Sequence, residues 1–385
     1  MSKNNSIYIL GGVTAFLFSC TGPVAIIISV ALSGGLSDQH VASWLFGGFA
    51  ITGVYTLYYS FRYRQPLSFA WTIPGTVLLI SALNHLSFEE VVGAYFATAG
   101  LIFLIGYTCW VQWIMDSIPK PVVMAMVAGV FLDFGLNLVD AFNDSLPIAI
   151  SMVAAFLMLS VMPNLQRLVP PILGALVVGI LVVIVTDSFK ESDPLGAWLM
   201  SPLFFMPAFS LKAMIELVIP LTITVVVVQN GQGFAVIKNA GHAPPINSMT
   251  KACGTGSVLL ALVGSVTMCV TGPANAILAS VGKREHQYIG GVTYGVLAVA
   301  FGIFSSSMTW FALKLPASYI AVLGGLAVLK VLQGAFVSAF GGKYSMGALV
   351  TFLVTVSGIS MFNISAPFWA LVMGASVSWL LERSE

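Results

Sequence analysis

The residues with the types and spacing to do chemistry lie in a few breaks within otherwise apolar stretches. Residues 270–280 read VTGPANAILAS, and residues 71–81 read WTIPGTVLLIS. At an offset of 199, Thr72 falls on Thr271, Pro74 on Pro273, Leu79 on Leu278 and Ser81 on Ser280. Two further breaks are Ser19-Cys20-Thr21-Gly22-Pro23 and Gln229-Asn230-Gly231-Gln232-Gly233. Proline lacks an N–H and breaks a helix interior, so each proline stretch predicts a short extended segment followed by a half-helix. A half-helix offers free N–H groups and a partial positive charge at its N-terminus, which suits an anion. Paired, Pro/Gly-interrupted apolar segments in matching halves point to a transporter binding site. The residues that could shape such a site are Trp71, Thr72, Pro74, Gly75, Thr76, Thr271, Gly272, Pro273, Ala274 and Asn275. Ser19, Thr21, Gly22, Gln229, Asn230 and Gln232 would come from the other two breaks. For each Ser or Thr, a hydroxyl bonded to its own helix backbone is an equal alternative. Three amides within four positions are harder to place in lipid without a role.

Such a site needs a scaffold of membrane helices. Of 385 residues, 58% are hydrophobic and 8% are charged, against about 25% charged in soluble domains. Mean hydropathy is +0.98. This composition predicts an all-α polytopic membrane protein, and a net charge of +1 disfavours nucleic acid as a partner. Cys20, Cys109, Cys253 and Cys269 have no CxxC spacing and read as packing residues, and the four histidines form no zinc motif. Neither a metal nor a cofactor is expected. The first apolar span follows MSKNNS with no convincing cleavage site and reads as a retained helix.

Apolar spans fall at 7–32, 41–59, 69–83, 90–113, 119–139, 147–162 and 169–186. A linker with Asp187, Lys190, Glu191 and Asp193 leads to a Pro-containing interfacial segment at 198–209. Seven more spans follow at 213–237, 249–268, 270–281, 287–311, 316–336, 345–361 and 366–381. IPKPVVMAMVAGVFLDFGL (118–136) matches LPASYIAVLGGLAVLKVLQ (315–333), and ALVVG (175–179) matches ALVMG (370–374). The expected fold is therefore fourteen transmembrane segments in two seven-span repeats. Seven is odd, so the repeats are inverted. With a cytoplasmic N-terminus, the inside carries Lys3, Arg62, Arg64, Lys120, Arg167, Lys238, Lys251, Lys283, Arg284, Lys343 and Arg383. The outside carries only Lys190, Lys212 and Lys314. This asymmetry fits the positive-inside rule and puts both termini in the cytoplasm.

Asp133 and Lys330 are the charges expected deep within spans, at equivalent positions 197 apart. Each lies about 21 Å along its helix from the opening proline. They are candidates for an ion pair, for a gate or dimer contact, or, in Asp133, for a proton carrier; each could also snorkel to its nearer surface. Glu216, near the outer end of span eight, reads as an interface residue.

IPLTITVVVVQNGQGFAVIKNAGHAPP (219–245) resembles the eighth-span signature of the benzoate/proton symporter family, BenE, with His242 where an aromatic is usual. RQPLSFAWTIPGTVLLISA (64–82) resembles the family's Arg-Gln-Pro…Trp-Ser-x-Pro-Gly stretch, with Thr72 in place of Ser. SIPKPVVMAMVAGVFLDFG (117–135) resembles its fifth span. The resemblance covers essentially the whole chain. It implies the fold shared with nucleobase permeases and sulfate/bicarbonate carriers, in the bacterial inner membrane. There a core domain moves against a gate domain, with the core at 1–113 and 213–312, the gate at 114–190 and 313–385, and a linker at 191–212. The gate is also a possible homodimer surface. The implied activity is uptake of benzoate or a related aromatic carboxylate with a proton. Nucleobase permeases of this fold place a carboxylate in spans eight and ten. Here those breaks hold Gln229 and residues 273–275 without an acid, which suits an anion better than a nucleobase. Phe16, Phe18, Trp71 and Phe234 could pack an aromatic ring or simply face other helices. Other readings are transport of a different anion or a nucleobase, or an anion channel. No nucleophile–base pair, metal motif or carboxylate pair stands at a catalytic spacing, so an enzyme is not expected.

Overall fold

The computed structural model describes residues 5–162, 170–190, 197–362 and 364–382. Lys3, Arg167, Glu191, Asp193 and Arg383, used in the charge and linker readings above, lie outside the described residues. The first half comprises α1 (Ser6–Ser19), α2 (Gly22–Ser33), α3 (Asp38–Tyr63), β1 (Phe69–Trp71), α4 (Ile73–Leu83) and α5 (Phe88–Tyr107). It continues with α6 (Val111–Ser117), α7 (Lys120–Asp144), α8 (Leu146–Val161) and α9 (Pro171–Val185). After the linker come α10 (Leu211–Asn239), α11 (Ile246–Leu262), β2 (Met268–Val270), α12 (Gly272–Ala279) and α13 (Tyr288–Ile303). The last elements are α14 (Ser305–Leu313), α15 (Ala317–Phe340), α16 (Ser345–Ser357) and α17 (Ala366–Leu381).

Among the described residues, six helical spans are long and apolar enough to cross a membrane, or seven if bent α13–α14 counts as one. Five more apolar helices, α4, α8, α9, α16 and α17, are shorter. The span expected at 287–311 bends by 70° between α13 and α14. The segment expected to lie at the interface, 198–209, is not a helix. It is an extended strap whose backbone amides are taken up by other elements. Met200 N–H donates to Ile303 O, Leu203 N–H to Ser43 Oγ, Phe205 N–H to Leu262 O and Ala208 N–H to Glu89 O. Prolines 202 and 207 exclude a helix there and leave the strap dependent on such outside acceptors.

Local sequence accounts for several helix ends. Ser87 and Glu90 form a complete capping box at the start of α5. Pro74 and Pro273 occupy the second position of α4 and α12, where a missing N–H costs nothing. The strands end at Trp71 and Val270, Thr72 and Thr271 take the N-cap positions, and the prolines expected to end the extended segments lie inside the helices.

The helices pack in two groups. In one, α7 lies along α15, α16 and α17, with α8 and α9 beside α15. In the other, α5 packs on α11, α3 and α1 on α13, and α4 on α2. The groups meet where α2 crosses α15. There Gly22 faces Ala327, with no space for a side chain between them. Gly22→Val must push α15 away. We expect a loss of about 1–3 kcal/mol in stability, as for overpacked cores, read as a lowered unfolding midpoint in detergent.

Candidate substrate site at the paired half-helices

The two proline stretches meet. β1 pairs with β2 antiparallel, with Phe69 opposite Val270, Ala70 opposite Cys269 and Trp71 opposite Met268. Thr72 N–H extends the ladder to Thr267 O and Thr271 N–H to Ser68 O. Because the strands run in opposite directions, α4 leaves one end of this ribbon and α12 the other. Each half-helix thus starts at the ribbon.

A two-stranded ribbon leaves edge N–H groups, which cannot remain unpaired in hydrocarbon. Here side chains from neighbouring elements meet them. Phe69 N–H donates to Thr56 Oγ1 on α3 (2.9 Å) and Met268 N–H to Ser257 Oγ on α11 (2.8 Å). Ser68 N–H donates to Asn275 Oδ1 and Val270 N–H to Asn230 Oδ1, both at 2.8 Å. Ser68 Oγ also donates to Asn275 Oδ1. All of these side chains are buried. Asn275 and Asn230, expected as site amides, thus use their carbonyl oxygens to hold the ribbon. Asn230 keeps a buried Nδ2 with no partner. Thr56, Ser257 and Ser68 were not singled out from sequence. The available signal was a hydroxyl in the span preceding each proline stretch.

The two half-helix N-termini differ. Thr72 Oγ1 accepts from Gly75 N–H at 3.2 Å and closes the first turn of α4. Thr72, Pro74, Gly75 and Thr76 are all buried, and Thr76 Oγ1 donates to Thr72 O. Thr271 makes no capping bond to α12. Thr271 and Pro273 are half-buried, Ala274 is buried and Ala276 is exposed. The half-helix N-terminus left without a side-chain cap is therefore that of α12, with α4 as its capped counterpart.

Span eight is not broken at 229–233. It stays helical, with π-helical turns at Met214–Val218 and Thr224–Asn230. A π turn widens the helix locally and often marks a functional position. It puts the three amides in different settings. Gln229 is buried, Asn230 holds β2, and Gln232 is exposed beside α12. A methyl group on Gly272 would lie 2.6–2.7 Å from the Gln232 side chain, so only glycine admits this contact. Gly231 faces Met115 of α6.

In span one the chain does break between α1 and α2. Ser19 Oγ donates to Ala15 O and accepts from Tyr294 Oη at 3.1 Å, while Thr21 Oγ1 donates to Phe18 O. Both hydroxyls thus take the local backbone alternative. Trp71 packs at a tilt against Phe49 (4.9 Å between centroids, 58° between planes), which packs on Phe301 and Phe16. Phe16 and Trp71 therefore belong to an internal aromatic cluster. The Trp71 Nε1–H is buried without a partner.

Asp133 and Lys330 are both exposed on the surface of their helices, and among the described residues they form no ion pair. Glu216 departs from its reading as an interface residue. It is buried at 1% exposure and pairs with His85.

A family model described as "Benzoate membrane transport protein" matches residues 2–380. The chain belongs to the BenE family. As a BenE member it is a membrane transporter, not an enzyme. It is 30% identical to the "Benzoate membrane transport protein" of Acinetobacter baylyi, covering 97% of this chain and 95% of that one. It is 28% identical to the "Inner membrane protein YdcO" of Escherichia coli, covering 95% and 93%. Its fold resembles the transmembrane domain of a cyanobacterial bicarbonate transporter, BicA, with a TM-score of 0.64 at 15% identity, covering 97% and 98%. At that identity the likeness is one of fold.

Proposed function

We propose that this BenE member imports benzoate or a related aromatic carboxylate, with a proton, across a bacterial inner membrane. It works by alternating access of a core (1–113 and 213–312) against a gate (114–190 and 313–385). In this reading the short apolar helices, α11 and the two strand–half-helix units complete fourteen segments in two inverted repeats, with both termini in the cytoplasm. The observation that carries the substrate class is the open N-terminus of α12 beside Gln232, in a site whose breaks contain no acid. Helix N-termini attract anions through free N–H groups and the helix dipole. The unpartnered Nδ2 of Asn230 and Nε1 of Trp71 are further donors near the ribbon. The two helix groups, meeting at Gly22 and Ala327, fit a core sliding on a gate. Asp133 and Lys330, exposed on the gate helices α7 and α15, fit a contact between two copies of the chain.

The test is a thermal-shift panel on the purified protein with benzoate, substituted benzoates, uracil, sulfate and bicarbonate. A ligand at 100 times its Kd stabilises by about 2.7 kcal/mol, so benzoate should raise the unfolding midpoint clearly. A shift with uracil and none with benzoate overturns the substrate assignment.

A further inference from the structure

Span eight carries a second polar centre, distant from the ribbon. Glu216 Oε2 lies 2.9 Å from His85 Nε2, which is the ion pair found among the described residues. The Glu216 side chain is fully buried, whereas 29% of the His85 side chain reaches the surface. Glu216 Oε1 is buried and has no hydrogen-bond partner. The carboxylate sits on the first π turn of α10, Met214–Val218. This turn packs against α5, α4 and α17. These neighbours bring Glu89, Glu90 and Tyr95 on α5 and no titratable group on α4 or α17, while Lys212 precedes the turn. Glu90 is engaged with Ser87 in the capping box, and the Tyr95 hydroxyl is buried without a partner. No cation other than His85 is paired with Glu216.

We infer that Glu216 and His85 form a proton-binding site, filled from the outer side, that makes transport dependent on external pH. The inference rests on the proposed transport of a carboxylate and adds the site that senses the proton. With neutral His85 donating its Nε2–H to Glu216, the pair carries one negative charge. A buried carboxylate oxygen without a donor is unfavourable in a low-dielectric interior. A proton from outer water binds Nδ1, the imidazole nitrogen not facing Glu216, on this part-exposed side chain. One N–H bond forms, water gives up the proton, and the pair becomes a neutral imidazolium–carboxylate. The π turn that holds Glu216 touches α17, on the gate side, so neutralising the pair removes a buried charge where core and gate meet. The neutral form is the one that lets the core move, so transport rises as external pH falls.

The experiment is benzoate exchange in proteoliposomes with internal pH fixed and external pH stepped between about 8 and 6, where a carboxylate of ordinary acidity stays ionised. The wild type should speed up several-fold on acidification, within the limit of about tenfold per pH unit for one proton. Glu216→Gln, which keeps the size and a bond to His85, should give a flat profile. A Glu216→Gln profile identical to wild type overturns the inference, as does a wild-type response that follows sodium rather than pH. Infrared difference spectra of the purified protein between the two pH values supply an independent readout. The wild type should show a carboxylate band that shifts with pH, and Glu216→Gln should lack it. If the wild type exchanges no benzoate, the transport reading fails, and the infrared comparison still decides whether this pair binds the proton.

Discussion

Thr271→Asp should abolish benzoate binding while leaving the protein about as stable as wild type. Asp is among the best residues at the N-cap, where its carboxylate accepts from the first-turn N–H groups. Thr271 occupies that position on α12 and makes no capping bond. Its half-buried setting leaves room for a polar group. The same carboxylate would occupy the positive end proposed for the substrate. Two like charges 4 Å apart repel by about 4 kcal/mol at an effective dielectric constant of 20, or roughly three orders of magnitude in affinity. Thr271→Asn is the control: it caps without charge and should keep affinity within about tenfold. Calorimetric titration of benzoate into both variants, with unfolding midpoints alongside, separates the effects. If Thr271→Asp binds benzoate like wild type, the α12 N-terminus is not the anion site.

Asn275→Ala should cause the largest loss of stability among the site residues. One oxygen of Asn275 accepts from both Ser68 N–H and Ser68 Oγ, at 2.8 Å each, and its Nδ2 donates to Ser68 O at 3.4 Å. Both residues are fully buried. The substitution strands a backbone N–H at the ribbon edge, where no water can replace the lost acceptor. An unsatisfied buried group costs about 1–3 kcal/mol, and two orphaned donors place the expected loss at roughly 2–5 kcal/mol. The unfolding midpoint should fall by several degrees, and transport should fall with it because the ribbon sets the position of α12. An unchanged midpoint would contradict the structural role assigned to this amide. In that case Asn275 reverts to a substrate contact, and the variant should lose affinity instead.

The contrast between these residues shows how much of the site was legible. Thr72-x-Pro74 and Thr271-x-Pro273 spelled out two half-helices, since a threonine cap followed by a proline in the first turn is a local rule. Offsets near 200 residues in the sequence paired them before any coordinates. The resemblance at 219–245 gave the family. The fates of individual polar groups were not legible. Asn275 and Thr271 stand four residues apart in one motif, yet the side chain of one is locked to Ser68 and that of the other makes no capping bond. The amides of Gln229, Asn230 and Gln232 looked equivalent because a helical break was expected. A continuous helix, π-wound as far as Asn230, instead puts them in three different settings. Glu216 read as an interface residue because the sequence does not show that His85, just beyond α4, approaches it.

The sequence by itself determined the class of protein, the proline-marked places where the backbone leaves the helical pattern, and the absence of an acid from them. These follow from composition, proline chemistry and threonine capping, which act within a few residues. Tertiary structure decided which donors and acceptors were already used. Ser68 and Asn275 are 207 residues apart, and their bond exists only because the strands pair across the fold. In an apolar interior most buried polar groups are hydrogen-bonded, and which of them find a partner is set by packing between distant segments. Thr271, whose side chain caps nothing, is for that reason the residue at which the proposed site would open.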